Sequence, residues 1–365
     1  MCLPGRAADR QLWLRLHVAR GVGSVKVARL LAEYGQVEAV FEAGREDLEP
    51  RPGLSGVFDA LHEPGLEEQV DRLLEKLSRL PDVRILTPDS GDYPPRLLNS
   101  PAIPPLLFVR GRLDHALPSA AVVGSRKASG DRLRLTREWC QVWAEHGVSI
   151  VSGLAQGIDA AAHRGALEAS GHTVAVLGTG PDRTYPSAHV ALQDRILDAG
   201  GAVVSQFTPG APTHPGYFPA RNGTMAGLAD AVVIMQASRD SGALYTAAAG
   251  ARAGRPLLVA PSHPADRDNE GGLGLLRRRA CAIGSPEDLF RLLHMKHRDP
   301  GLPPAPPRPP EEQRVLEALD FRGRSLDELT RALALPAATV LDRLLRLELA
   351  GVVVRQPGPR YVRTR

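Results

Sequence analysis

Three apolar runs that each break on glycine constrain this chain more than anything else in it. Ala120 to Val123 runs into Gly124-Ser125-Arg126-Lys127. Val148 to Val151 meets Ser152-Gly153-Leu154-Ala155-Gln156-Gly157-Ile158-Asp159, and Thr173 to Leu177 ends on Gly178-Thr179-Gly180. A segment with helical character follows the first two. A short apolar run, a glycine turn and a helix, repeated, is the pattern of parallel strands buried on both faces. Further candidate strands are Ala202–Ser205, Ala231–Met235 and Pro256–Val259, and the spacing predicts helices at Leu133–Glu145, Ala160–Glu168 and Val190–Asp198. The expected fold is an α/β doubly wound parallel sheet with right-handed crossovers. In such a sheet a ligand binds beyond the carboxyl ends of the strands.

The flanks read differently. In residues 1–80, Leu12, Leu14, Leu16 and Val18 precede Gly21-Val22-Gly23-Ser24, and Val27, Leu30, Leu31 and Tyr34 follow at helical spacing up to Gly35. Helix, Gly-x-Gly, helix resembles a helix-hairpin-helix unit, whose backbone amides face a nucleic-acid phosphate. A plain helix–helix turn needs glycine just as much. Residues 81–118 are proline-rich, with an extra strand expected at Leu106 to Val109, and belong with the sheet in a domain spanning 81–295. Residues 296–310 form a stiff, proline-dense linker. The last unit, 311–365, predicts three helices and a hairpin, a winged helix-turn-helix. There Ser325 and Glu328 make a capping-box pattern, Pro336 opens the third helix, Gly351 ends it, and Gln356-Pro357-Gly358 turns the hairpin.

Lys and Arg total 45 against 41 Asp and Glu, a net charge of +4, which favours a polyanionic partner only mildly. Three cysteines, Cys2, Cys140 and Cys281, form no ligand spacing and no disulfide framework, so a reducing cytoplasm is expected. No run reaches the roughly 18 apolar residues that span a bilayer, so no membrane partner is expected, and no secretory signal is visible. No metal and no cofactor are expected, since histidines such as His172, His189 and His214 lack ligand spacing.

Several turns along the expected strand ends suit phosphate. Gly124, Ser125, Arg126 and Lys127 close the first strand, where a guanidinium can fork onto a phosphate. Gly153, Gln156 and Gly157 form the second turn. Gly180, Arg183 and Tyr185 offer a cation and a ring to single-stranded nucleic acid, phosphate to Arg183 and base to Tyr185, or else Tyr185 packs in a loop anchored by Pro186. Arg221 and Asn222, expected at a loop-to-helix junction, present a cation and an amide. Ser241, Gly242 and Thr246 follow the strand Ala231–Met235 with two hydroxyls and a bare backbone. The fingerprint G-x-G-x-x-G is absent, and so is the Walker A lysine. Asp159 and His163 share a helical face, yet no nucleophile motif accompanies them, so no catalytic residue is expected.

At these residues the chain resembles the bacterial DNA processing protein A family, DprA or Smf. The matching blocks are Val123-Gly124-Ser125-Arg126, Ser152 to Asp159, Val176 to Gly180, Tyr185-Pro186, Phe218-Pro219 with Arg221-Asn222, and Ser241-Gly242. The resemblance implies an extended Rossmann-like domain that binds single-stranded DNA. It also implies an N-terminal helical domain of SAM or helix-hairpin-helix type, a C-terminal winged helix and a homodimer. The implied role is to shield incoming DNA and help load the RecA recombinase in natural transformation, with no bond broken. The chain departs from the family pattern at Gln206 and Gln236, where acidic residues are usual, at Gly223, where an arginine is usual, and at Ala260-Pro261-Ser262, where proline-glycine is expected.

Two other readings use the same residues. Related Rossmann-like folds include phosphoribohydrolases, which place a catalytic glutamate beside the turn after the fifth strand; Ser241 to Arg252 contains no carboxylate. The winged helix, with Arg343 and Arg346 on its candidate recognition helix and Arg355, Arg360, Arg363 and Arg365 on the wing and tail, could instead bind duplex DNA or a protein.

Overall fold

The computed structural model describes residues 7–263, 266–278, 280–295, 309–319, 324–349, 353–356 and 360–363. The proline-rich segment 299–308, Cys2, Gly351 and the hairpin turn at Pro357-Gly358 lie outside the described residues. The chain divides into two compact units, Met1–His297 and Arg298–Arg365.

A nine-stranded sheet organises the first unit. Its strands are β1 (Arg84–Leu86), β2 (Leu107–Gly111), β3 (Ser119–Gly124), β4 (Ser149–Ser152), β5 (Thr173–Val176), β6 (Ala202–Ser205), β7 (Ala231–Gln236), β8 (Leu257–Val259) and β9 (Cys281–Ala282). They lie in the order β1-β2-β6-β5-β4-β3-β7-β8-β9. From β6 to β9 every pairing is parallel. The extra strand β2 runs antiparallel to β6, Phe108 opposite Ser205, and β1 runs antiparallel to β2. Strands β3 to β7 are buried throughout except at Gly124, as expected of strands covered on both faces. The sequence reading placed six of these strands and β2. It did not place β1 or β9, which hold three and two residues and carry no periodicity.

The chain winds outwards from β3 in both directions, so β3 and β7 flank the topological switch point. Their register shifts at Gly124, which pairs with Gln236. This opens the carboxyl end of the sheet where the fold class places a ligand.

Among the described residues six helices precede the sheet, including Ala7–Val18, Ser24–Tyr34 and Leu66–Ser78. The turn between the first two exposes Gly21 and Gly23. Trp13, Leu16, Leu30 and Val70 bury into one continuous apolar cluster with Phe108, Val204, Met225 and Val259, so the N-terminal helices share a core with the sheet. On the other face, Trp139, Trp143 and Cys140 of the helix Gly130–Glu145 pack with Ile150, Val233 and Phe290.

The second unit holds helices Pro310–Ala318, Leu326–Leu333 and Ala337–Leu349, and strands β10 (Arg324–Ser325), β11 (Val353–Gln356) and β12 (Arg360–Arg363). Ser325 Oγ accepts from the Glu328 N–H at 3.2 Å while the Ser325 N–H donates to Glu328 Oε2 at 2.8 Å, a formed capping box. Val315, Leu329, Val340, Leu344 and Tyr361 fill its core.

Candidate nucleic-acid interface

The switch point holds a cleft of about 690 Å³. Gly124, Ser125, Arg126 and Lys127 from the end of β3 form one wall. Ser241, Gly242, Tyr245 and Thr246 form the opposite wall, at the start of the helix Ala243–Arg252. Phe218, Arg221 and Asn222 cross between them on the helix Tyr217–Leu228. Arg221 and Asn222 therefore lie inside a helix, not at the junction expected from sequence. Pro219 falls in that helix's first turn, where no N–H is needed, so the helix starts earlier than the proline suggests.

Arg126 and Lys127 are exposed at the mouth. The Arg126 guanidinium stands 5.4 Å from the centre of the Phe218 ring. Arg221 lies beneath them, only 4% exposed, with Nη1 3.9 Å from Asp159 Oδ2 and from Met225 Sδ. Its Nε has no partner in the structure. Burial pushes the Asp159 carboxyl up from its ordinary range, against the downward pull of Arg221, of the Ala155 and Gly153 N–H groups, and of Arg126. The charge at the cleft floor is thus a loosely held cation over a caged carboxylate.

The glycines of the second turn serve packing. A Cβ on Gly153 would fall 1.3 Å from Arg221 Nη1, and one on Gly157 would fall 2.3 Å from the Ser125 carbonyl oxygen. Gly157 also takes φ +79°, and the N–H of the next residue, Ile158, donates to that same oxygen at 3.2 Å. Gln156 is exposed on the turn, Gly153 is buried, and neither lines the cleft. Gly242 is the contrast: it is exposed, and nothing stands within 4 Å of where its Cβ would be.

Two serines hold backbone amides at the walls. Ser125 Oγ accepts from the Lys127 N–H at 3.1 Å, and Ser241 Oγ accepts from the Ala243 N–H at 3.3 Å. These amides are capped from within rather than bare. Asn222 Nδ2 donates to the Gly242 carbonyl at 3.4 Å, tying the cross-helix to the far wall. Thr246 is 1% exposed and meets the cleft only at its floor.

The loop after β5 stands further along the rim. Gly180 is buried there, and Arg183 is exposed, its carbonyl accepting from Thr179 Oγ1. Tyr185 is 46% exposed, and its ring centre lies 6.0 Å from that of Phe218. Phe218 thereby links this loop to the cleft, a ring that sequence reasoning left out of the site. Tyr245, 60% exposed at the opposite wall, was also left out, although it stands between Gly242 and Thr246 in the same motif. Asp159 and Asp268 also line the cleft, so its field is cationic with acidic inserts.

Gln206 and Gln236, the positions of unusual amides, are accounted for unequally. Gln206 accepts from Thr224 Oγ1 and donates to Ser24 Oγ at 3.4 Å, joining the helix that carries Arg221 to the N-terminal helices. Gln236 is 3% exposed with an unpartnered Oε1, for which the structure offers no explanation.

Sheet, cleft and terminal domain together define a Rossmann-like α/β protein with its cleft at the switch point and a winged helix at its C-terminus. The family model for DNA recombination-mediator protein A matches residues 84–294, and that for the DprA winged helix domain matches residues 299–359. Protein Smf of Escherichia coli is 33% identical over 381 residues, covering 98% of this chain and 96% of the relative. The crystal structure of DNA processing protein A from Streptococcus pneumoniae superposes with a TM-score of 0.63 and 30% identity, over 81% of this chain and 100% of that one. A structure of the Helicobacter pylori protein, described for its single-stranded DNA binding mode, shares the fold with a TM-score of 0.51 at 24% identity, over 58% of this chain and 95% of that one. The chain belongs to the DprA/Smf family of DNA-processing proteins. Among the described residues no helix is long and apolar enough to cross a membrane, and no cluster of three His, Cys, Asp or Glu side chains could hold a metal ion.

Proposed function

We propose that the cleft grips the backbone of single-stranded DNA and that the chain acts as a recombination mediator. The carrying observation is the pairing of cations with rings along one rim. Arg126 and Lys127 stand exposed at the mouth, and the rings of Phe218, Tyr185 and Tyr245 stand beside or across from them. An unpaired strand offers phosphates to such cations and free base faces to such rings, whereas a duplex hides its faces. Membership of the family, and the single-stranded DNA binding named for the Helicobacter pylori structure, support the same reading. No step of bond breaking is assigned: Asp159 is engaged with Arg221 and the turn amides, and the Ser241–Arg252 segment contains no carboxylate. The product of binding is a shielded strand held by a homodimer and presented to the RecA recombinase.

Titration of the full chain with single- and double-stranded oligonucleotides over a salt series tests this. The expected result is preference for the single strand, with affinity falling linearly in log–log form as salt rises. Equal affinity for both, or affinity insensitive to salt, would overturn it.

A further inference from the structure

A second and larger hollow adjoins the cleft. It is a groove of about 1950 Å³ between the helix Ser24–Tyr34 and the helices Tyr217–Leu228 and Ala243–Arg252. The cleft and the groove share those last two helices. Asn222 lines the cleft and Gly223 the groove; Tyr245 and Thr246 line the cleft, Ala249 and Arg252 the groove. Spacings of four and three residues put Tyr245, Ala249 and Arg252 on one stripe of their helix, which runs from one hollow into the other over roughly 10 Å. Gly223 stands where the cross-helix passes between them. Nothing lies within 4 Å of where its Cβ would be, so the passage is open there.

The far wall is set by hydrogen bonds. Gln206 joins Ser24 to Thr224, the neighbour of Gly223. The N-terminal end of the helix Ser24–Tyr34 therefore stands beside the passage, with Val25 53% exposed. The other end of that helix, followed by Glu38, lies roughly 15 Å further on. Leu98, 36% exposed, adds apolar surface. Arg252 is exposed and makes no ion pair among the described residues. Arg29, also exposed, donates to the Pro52 carbonyl at 3.3 Å. Against these cations stand Glu38 and Asp89, the latter accepting from Thr87 Oγ1, so the groove has little net charge.

We infer that the groove receives the continuation of a single strand whose first part lies in the cleft, with Arg252 and Arg29 on its phosphates and Val25 and Leu98 under its bases. Continuity selects this occupant. A strand longer than the cleft must leave it, and the stripe from Tyr245 to Arg252 and the gap at Gly223 lead into the groove without a barrier. A groove of little net charge does not draw DNA from solution. A strand already gripped at Arg126 meets it at high effective concentration, so the groove adds affinity only for strands that outrun the cleft. The inference rests on the cleft reading proposed above and adds to it a path and a dependence on strand length.

Binding of thymidine oligonucleotides of about 5 and about 20 nucleotides to the full chain tests it. Arg252→Gln should weaken binding of the long strand about 5-fold and shrink its salt slope by about 0.7, while the short strand binds as before. Gly223→Gln puts a neutral side chain into the passage and should lower long-strand affinity several-fold, again sparing the short strand. It enters open space in a helix, so the unfolding midpoint should not fall. A benzophenone attached at Val25→Cys, in a chain also carrying Cys2→Ser and Cys281→Ser, should cross-link to the long strand on illumination and not to the short one. Unchanged long-strand affinity in Arg252→Gln, or no cross-link from position 25, overturns the inference and leaves the cleft standing, as when the groove holds an apolar peptide instead. Equal losses at both lengths would mean that the substitutions act on the cleft, and overturn it too. If neither length binds the unmodified chain, the cleft reading falls and this inference with it.

Discussion

The guanidinium of Arg221 occupies the space that a side chain at position 153 would fill: a Cβ on Gly153 would come within 1.3 Å of Nη1 and 2.7 Å of Asp159 Oδ2. Residues 68 positions apart are thus one unit, and the glycine of the Ser152-Gly153 turn is there so that a cation can lie on the backbone.

Gly153→Ala should displace the Arg221 head from the cleft floor. The arginine end can shift but the caged carboxylate cannot, so a loss of about 1–3 kcal/mol is expected in denaturant unfolding, together with weaker single-strand binding. Gly242→Ala enters open space at an ordinary helical φ of −56° and should change stability by no more than about 0.5 kcal/mol. Equal stability losses in the two variants would contradict this packing.

Arg126→Ala removes an exposed cation and touches no core. Single-strand affinity should fall about 10-fold, equally across sequences, and the slope of log affinity against log salt should shrink by about 0.7. The unfolding midpoint should not move. An unchanged salt slope would remove Arg126 from the interface.

Asp159→Ala leaves the Arg221 charge buried and uncompensated, so a loss of about 3–5 kcal/mol is expected. Asp159→Asn keeps an acceptor for the Gly153 and Ala155 N–H groups and should cost clearly less. Urea unfolding of both variants makes the comparison.

His163 is fully buried, its Nδ1 2.8 Å from Thr173 Oγ1. Thr173 Oγ1 donates to the Ile150 carbonyl at 2.7 Å, so it accepts from His163 Nδ1–H, which leaves Nε2 unprotonated and without a partner. Burial first, then the charges of His189, Arg221 and Arg164, hold the imidazole down to about 3. The unfolded chain takes up a proton below about pH 6.5 that the native state refuses, so this residue's share of stability is present above that pH and is lost as pH falls towards 3. By pH 5 the loss should be roughly 2 kcal/mol. Comparing the pH dependence of unfolding in His163→Gln checks this; a slope unreduced in the variant would show that the proton is taken up elsewhere.

The sequence alone determined the strands β2 to β8 and the order of the turns between them. Apolar runs ending in glycine are local patterns, and Val148 to Val151 or Ala231–Met235 read as strands without knowledge of their neighbours. The capping box at Ser325 is equally local. Only the tertiary structure decided what the site residues do. It set Arg221 beneath Gly153, brought Phe218 to Tyr185 across 33 positions of chain, and turned Arg343 to Glu311. The physical reason is that backbone conformation follows from near neighbours in the chain. Burial, and with it the charge and reach of a side chain, depends on elements brought together only when the sheet closes its core.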